Sequence, residues 1–322
     1  MPVPDRPATV PNGGGHPDDE FHPPTSADPW WTETCWFTFT VPERRLSGQL
    51  YPFFRPNLGV VSAAAYVWDH TGDRPETSRY AKHFWHLPMP DTPLTDLALA
   101  NGIRYRCLEP HRRWHLAYDD PDGGDELSID LTFTGVVAPH HLAGSHLDQA
   151  GLFEGRIVLD GEAITVDAHG FRDRSWGPRD QFGQDIHHST AASGGYSYAT
   201  LDEREAFHMI SMDFGTGCTG IHGFVVRDGT WSALASGTRR VVARDDAGHP
   251  TRVELNIIDD LGRELHAEGA AHNALSLYLN PNLFTINCLT RWRFDGLEAW
   301  GEDHDNHSAP AARRLMRSLV RR

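Results

Sequence analysis

The residues best equipped for chemistry lie in one run, Asp167-Ala168-His169-Gly170-Phe171-Arg172-Asp173-Arg174-Ser175-Trp176-Gly177-Pro178-Arg179-Asp180. A carboxylate beside an indole suits acid/base work: Asp173 can give or take a proton, and the π face of Trp176 can stabilise a developing cation. Arg172, Arg174 and Arg179, close to Asp173 and Asp180, can form an ion-pair network that holds a carboxylate in one geometry. Gly170 and Gly177 permit positive φ or close backbone approach, and Pro178 stiffens the chain beyond it, so the run reads as a shaped turn rather than a strand interior. The same residues also suit an architectural role, an Arg/Asp/Trp cluster plugging a barrel end with Trp176 in the core. An Asp173 locked in ion pairs would have a low pKa and be a poor proton donor to an alkene.

The elements that must position this run are strands. Trp36 to Val41 alternates with period two and places Phe37, Phe39 and Val41 on one face. The alternation recurs in 103–107, 114–118 and 127–134, and further strand-like runs cover 207–214, 253–258 and 283–294. Asp160-Gly161 and Asp228-Gly229 mark tight hairpins, and Asp245 to Gly248 looks like a third turn. No long pattern of helical period appears between Trp30 and His304, so the chain reads as all-β, a sandwich or a set of up-and-down barrels. The run Pro139 to His146 interrupts the pattern, which divides the chain into a flexible tail (1–28), a first barrel (29–145), a second barrel (146–308) and a basic tail (309–322).

The 322 residues carry a formal charge of −15, with 44 acidic against 29 basic side chains. That balance argues against a nucleic-acid partner, which needs a concentrated cationic face. Four cysteines without CxxC spacing suggest neither a zinc knuckle nor a disulfide framework and fit a reducing cytosol. The N-terminus lacks a charged-then-apolar signal pattern, and no stretch approaches the roughly 18 apolar residues of a membrane span. A cytoplasmic location is therefore expected. Residues 309–322 place Leu315, Met316, Leu319 and Val320 at helical spacing among five arginines. That basic amphipathic pattern allows peripheral contact with an anionic membrane, but a solvated terminal helix or frayed tail is the preferred reading, since one short patch binds only weakly.

Other candidates carry less. His187-His188 after Asp185, and His304-Asp305-Asn306-His307, offer imidazole and carboxylate but lack the spacing that puts two histidines on one helical face, so no metal is expected. His208 and Asp213 in one strand face opposite ways and read as satisfied structural groups. Serine-hydrolase elbows, Walker loops and dinucleotide fingerprints are missing. Ten tryptophans and fifteen phenylalanines suit an aromatic-lined apolar cavity as well as ordinary cores.

The run Gly170 to Arg179 resembles the G-x-R-D-(H/R)-S-W-G-x-R signature of a lipocalin-like superfamily that includes carotenoid hydratases (hydroxyneurosporene synthases), AttH-like proteins, survival-factor-like lipid carriers and some fungal pericyclases. His146-Leu147-Asp148-Gln149 is similar to the superfamily's His-x-x-Gln element, and Arg55-Pro56-Asn57 with Gly59 resembles a feature of its uncharacterised bacterial members. The resemblance runs from about Trp30 to Trp300 and is specific in 170–179. It implies two lipocalin-like antiparallel β-barrels side by side, an apolar ligand within or between them, and no metal or redox cofactor. On that basis Asp173, Trp176 and Arg174 are the catalytic candidates. His146, Gln149, Arg172, Arg179, Arg55, Asn57 and His187 are the ligand-contacting ones. Arg174 stands where the hydratases carry His and cannot act as an acid or base at pH 7. The expected activity is a cofactor-independent hydratase, dehydratase or isomerase acting on a hydrophobic isoprenoid-like or steroid-like molecule. The alternatives are a lipid or terpenoid carrier and a cyclase or pericyclase.

Overall fold

The computed structural model describes residues 16–122, 126–179, 192–213, 215, 217–280 and 282–320. Its first sheet begins with β1 (Glu33–Val41), β2 (Leu46–Arg55), β3 (Val60–Trp68) and β4 (Tyr80–Pro88). It continues through β5 (Asp96–Ala98), β6 (Ile103–Glu109), β7 (Arg113–Asp119), β8 (Leu127–Gly135) and β9 (His140–Leu142). The long hairpin of β10 (His146–Leu159) and β11 (Glu162–Ser175) closes the middle by pairing β11 with β1. The resulting order, β4-β3-β2-β1-β11-β10-β8-β7-β6-β5, with β9 on β10, is a curled half-barrel with open edges.

The second sheet is a meander of β12 (Ser193–Thr200), β13 (Ala206–Asp213), β14 (Thr219–Arg227), β15 (Thr230–Arg244), β16 (Pro250–Asp259) and β17 (Glu264–Ala271). It ends with β18 (Leu275–Asn280), β19 (Leu283–Phe294) and β20 (Leu297–Ser308). Because β17 pairs β19 and β20 pairs β12, eight strands close into a barrel, with β18 appended to β19. Closure leaves no free edge around the barrel itself. The all-β, two-barrel architecture is thus present, one barrel closed and one half open.

The turns follow their sequence chemistry. Asp160-Gly161 and Asp228-Gly229 join β10 to β11 and β14 to β15 with both residues at positive φ, as does Asp295-Gly296 between β19 and β20. This is the mirror-image turn that matches strand twist. Alternation supplies the cores. Phe37, Phe39 and Val41 point into the half-barrel with Trp114, Phe133 and Phe153, while Met209, Leu255, Trp292 and Phe294 fill one end of the closed barrel.

Four expectations change. The junction placed at 145/146 falls inside the first sheet, because β10 and β11 complete it; the chain crosses to the second sheet between Ser175 and Ser193. The run at 170–175 is the end of a continuous strand, not a turn, since Asp173 and its neighbours keep register with both β1 and β10. The N-terminal segment from His16 is folded against the half-barrel: Asp19 is fully buried, and Phe21 meets Phe54 edge-on at 4.8 Å. Charge pairing rather than apolar area ties it down. Residues Ala309–Leu319 form α1, capped by the Ser308 hydroxyl, with Ala312 and Met316 against Phe284, Ile286 and Cys288 of the barrel wall. Among the described residues no helix is long and apolar enough to cross a membrane, and the four cysteines are unpaired.

Gly170 is required for close approach. A Cβ there would lie 2.3 Å from the Thr38 carbonyl oxygen of β1, so Gly170→Ala should destabilise the fold by about 1–3 kcal/mol through overpacking. An unchanged denaturant midpoint would refute that reading of the glycine.

Candidate functional site

Three adjacent strands set the site. In β1, β11 and β10, Trp36, Asp173 and Asp148 are direct cross-strand partners, so their side chains share one face. That face meets the outer wall of the closed barrel. Trp36, Ala150 and Phe171 pack there against Tyr196, Tyr198, Ala206 and Phe224. Alternation sends Arg172 and Arg174 the other way. Arg172 donates from Nε to Gln149 Oε1 (2.7 Å) and from Nη1 to Asp19 (3.1 Å). Its guanidinium lies 5.5 Å from the Trp114 ring centroid. Arg174 donates to Glu33 (2.8 Å) and to the backbone carbonyls of Asp18 and Glu20. Both guanidiniums are fully buried, and neither touches Asp173.

At the seam, Asp148 gathers donors from both sheets. His146 Nε2 lies 2.9 Å from Oδ2, His222 Nε2 lies 3.2 Å from the same atom, and His208 Nδ1 stands at 3.8 Å. The Tyr196 hydroxyl donates to Oδ1. His146 Nδ1 reaches the Ser175 hydroxyl at 2.6 Å, and His140 stacks on His222 at 4.3 Å. Burial alone would raise the Asp148 carboxyl, but the charge of His146 and its hydrogen bond hold it well below the usual carboxylate range. Burial opposes a charge on His146, yet Asp148 outweighs it and lifts that imidazole above its ordinary value. Desolvation depresses His208 to about 3 and His140 to about 4, so both are neutral.

Asp173 has no comparable set of donors. It is 9% exposed, and its Oδ1 has no hydrogen-bond partner among the described residues. Burial pushes its carboxyl up to about 6; the anionic Asp148 adds to the rise, while His146, Arg179 and His304 oppose it. A carboxyl in that range exchanges protons near neutral pH. Aromatic rings surround this side of the seam: Trp36 lies 5.7 Å from Tyr196, 5.4 Å from His304 and 6.1 Å from Tyr51, centroid to centroid. Glu302 orients His304 through Nε2 at 3.0 Å and accepts from Thr38 across the seam.

The other sequence candidates lie elsewhere. Trp176 stacks on His22 at 4.0 Å with Arg174 at 5.7 Å, on the face away from Asp173, so Trp36 occupies the place beside the carboxyl. Gln149 braces backbone carbonyls of His111 and Val137. Arg179 donates to Thr34. Asn57 holds the carbonyls of Ser26 and Asp28, while burial lowers the Arg55 guanidinium below its ordinary pKa. His187, with His188, Asp185 and Asp180, falls outside the described residues. Asp148, Tyr196 and His222 are the members that sequence reasoning did not single out, while His208, read there as structural, and His304, weighed there only as a metal ligand, also stand at the seam. His146 and Asp148 stand two apart on a strand and therefore share a face, which is the signal that could have revealed the first. Two groups among the described residues have donor atoms close enough to hold a metal, His146/Asp148/Asp173 and His16/Asp18/His111, each set within 4.8 Å.

A family profile described as "Domain of unknown function (DUF7064)" matches residues 15–303. No curated protein sequence matches the chain significantly. Among solved structures, an AttH candidate from Nitrosomonas europaea aligns over 92% of this chain and 98% of its own, with a TM-score of 0.63 at 14% identity. Kievitone hydratase from Nectria haematococca aligns over 86% and 88%, at 0.54 and 10%. CghA aligns over 87% and 88%, at 0.55 and 10%. These likenesses establish the lipocalin-like fold.

Two stability outcomes follow from the sidedness of β11. Arg172→Met leaves Asp19 buried without its cation and should cost about 3–5 kcal/mol in chemical denaturation; a loss under 1 kcal/mol would contradict the pairing. For Asp173 the folded pKa is raised, so the folded state holds the proton more tightly and stability falls as pH rises from about 4 to about 6. Relative to the parent, Asp173→Asn should therefore gain stability across that window, by up to about 3 kcal/mol, and a pH-independent difference would show that Asp173 titrates normally.

Proposed function

The chain belongs to the DUF7064 family, and from that footing we propose that it is an acid/base enzyme that adds water to, or removes it from, a carbon–carbon double bond of a hydrophobic isoprenoid-like or steroid-like molecule, with no cofactor taking part. The observation that carries this reading is the buried carboxyl of Asp173, whose Oδ1 has no hydrogen-bond partner among the described residues, raised to about 6 and set against aromatic rings. Protonating an alkene needs a carboxylic acid that keeps its proton close to neutrality and an environment tolerant of positive charge.

In hydration the Asp173 proton passes to one alkene carbon as its π pair forms the new C–H bond. The cation left on the other carbon faces Trp36 and Tyr196, whose ring faces attract positive charge. Water then forms the C–O bond and loses a proton to His304, whose Nε2 is held by Glu302. Orientation of a histidine by a buried carboxylate is the usual way to ready one ring nitrogen for proton transfer. Dehydration runs the same steps backwards, with ionised Asp173 as the base. The ionised Asp148 keeps Asp173 from surrendering its proton early, since a second carboxylate nearby opposes ionisation. Support for the reaction class also comes from the fold neighbour that bears the name of a hydratase.

The test is a panel of isoprenoid and steroid-like alkenes and alcohols, assayed with the parent and with Asp173→Asn. The variant should fold, bind the same ligand and lose about 10²–10⁴ in kcat. Unchanged turnover would remove Asp173 from the mechanism, and binding without turnover in the parent would favour a carrier. In the parent, hydration kcat/KM should fall above about pH 6 as Asp173 ionises, whereas dehydration should rise through the same range.

A further inference from the structure

On the far side of the half-barrel three imidazoles converge on one carboxylate oxygen. His141 Nε2 lies 2.8 Å, His111 Nε2 3.0 Å and His16 Nδ1 3.3 Å from Asp18 Oδ2. They come from three separate places: His16 and Asp18 from the N-terminal segment, His111 from the β6–β7 turn, and His141 from β9. The rings of His16 and His111 touch, with centroids 3.5 Å apart. Ring nitrogens this close can share one ion only as neutral imidazoles.

From this convergence we propose that His16, Asp18, His111 and His141 bind a divalent transition ion of the zinc type, which clips the N-terminal segment to the half-barrel. Imidazole nitrogens and one carboxylate are a zinc donor set, and tetrahedral ligation at 2.0–2.2 Å places neighbouring donor atoms about 3.3–3.6 Å apart. The three nitrogen-to-oxygen distances lie at or somewhat below the short end of that range, so the donors need only small outward shifts to take an ion. His16, Asp18 and His111 already fall within 4.8 Å of one another. His141, 40% exposed, completes the set by a turn of its side chain. The surrounding groups fix the ligands. The His111 backbone N–H donates to Asp19, its carbonyl accepts from Gln149, and its φ of 59° aims the ring at Asp18. The Asp18 carbonyl accepts from Arg174.

The clip would act on the same strands that carry the candidate site. Strand β9 presents His141 to Asp18 and its neighbour His140 to His222. Asp19, next to Asp18, pairs with Arg172 on β11. The ion would therefore brace, from behind, the strands that bear Asp148 and Asp173, without touching either.

The experiment is titration of the untagged, chelator-treated full chain with Co²⁺ and Zn²⁺, followed by cobalt d–d absorption and by the thermal midpoint. One ion per chain with a tetrahedral cobalt spectrum is expected, together with a Zn²⁺-dependent rise in Tm. His141→Gln and His111→Gln should each weaken binding at least ~10-fold, and His146→Gln should leave it unchanged. His141→Gln alters only an exposed ring and keeps the test open should the His111 variant fail to fold. An absence of binding overturns the proposal. So does binding that survives both ligand variants, or that is lost with His146→Gln, because the ion would then sit at the seam. None of these readouts depends on turnover, so the clip and the hydratase reading fail separately.

Discussion

Arg172 and Arg174 are buried beneath one face of β11, and the residue between them opens onto the other face. Each guanidinium has its own carboxylate, Asp19 for the first and Glu33 for the second. A cation without a partner at that depth would be prohibitively costly, so these pairs fix both the sidedness of β11 and the path of the N-terminal segment that supplies Asp19. With β11 so oriented, Asp173 must face the second barrel. The position of every group at the seam is then set by its register with β1 and β10.

The seam itself divides two kinds of carboxylate. Asp148 receives hydrogen bonds from both sheets and remains ionised despite complete burial. Asp173, one strand away, has burial without equivalent donors and holds its proton to about 6. Two neighbouring acids whose environments push their pKa values apart are the usual arrangement when one is to transfer a proton and the other to supply a fixed charge. The interior of the closed barrel works differently. One end is apolar, and the other is occupied by Arg239 with Asp303 and Asp305 in mutual ion pairs. The seam, rather than that interior, therefore holds the carboxyl with a raised pKa.

Much of the fold was legible. Period-two runs located the strands, and Asp-Gly pairs located two of the tight hairpins, because a two-residue turn with positive φ at both positions tolerates few other residues. The run around Asp173 was singled out correctly as dense in ionisable groups, but reading it as a turn obscured the alternation within it. Taken as a strand, it separates Asp173 from Arg172 and Arg174 by face and removes Trp176 from the carboxyl's side. His146 and Asp148 would likewise have parted from Gln149. The folded N-terminal segment escaped notice because its composition is poor in apolar residues, and its anchors are partners more than ninety residues away.

By itself, then, the sequence determined that the chain is built of antiparallel strands, where most of them turn, and which segment is densest in ionisable groups. These are local properties, set by alternation and by backbone conformations that only a few residues adopt. Tertiary structure alone decided that the second sheet closes while the first stays open, and that Tyr196, His208, His222 and His304 meet Asp148 and Asp173. Alternation places a side chain on one of two faces but cannot say what that face meets. Both faces of β1 and the ends of β10 and β11 that flank it are buried, so no polar stripe in the sequence marks the side that would become the site.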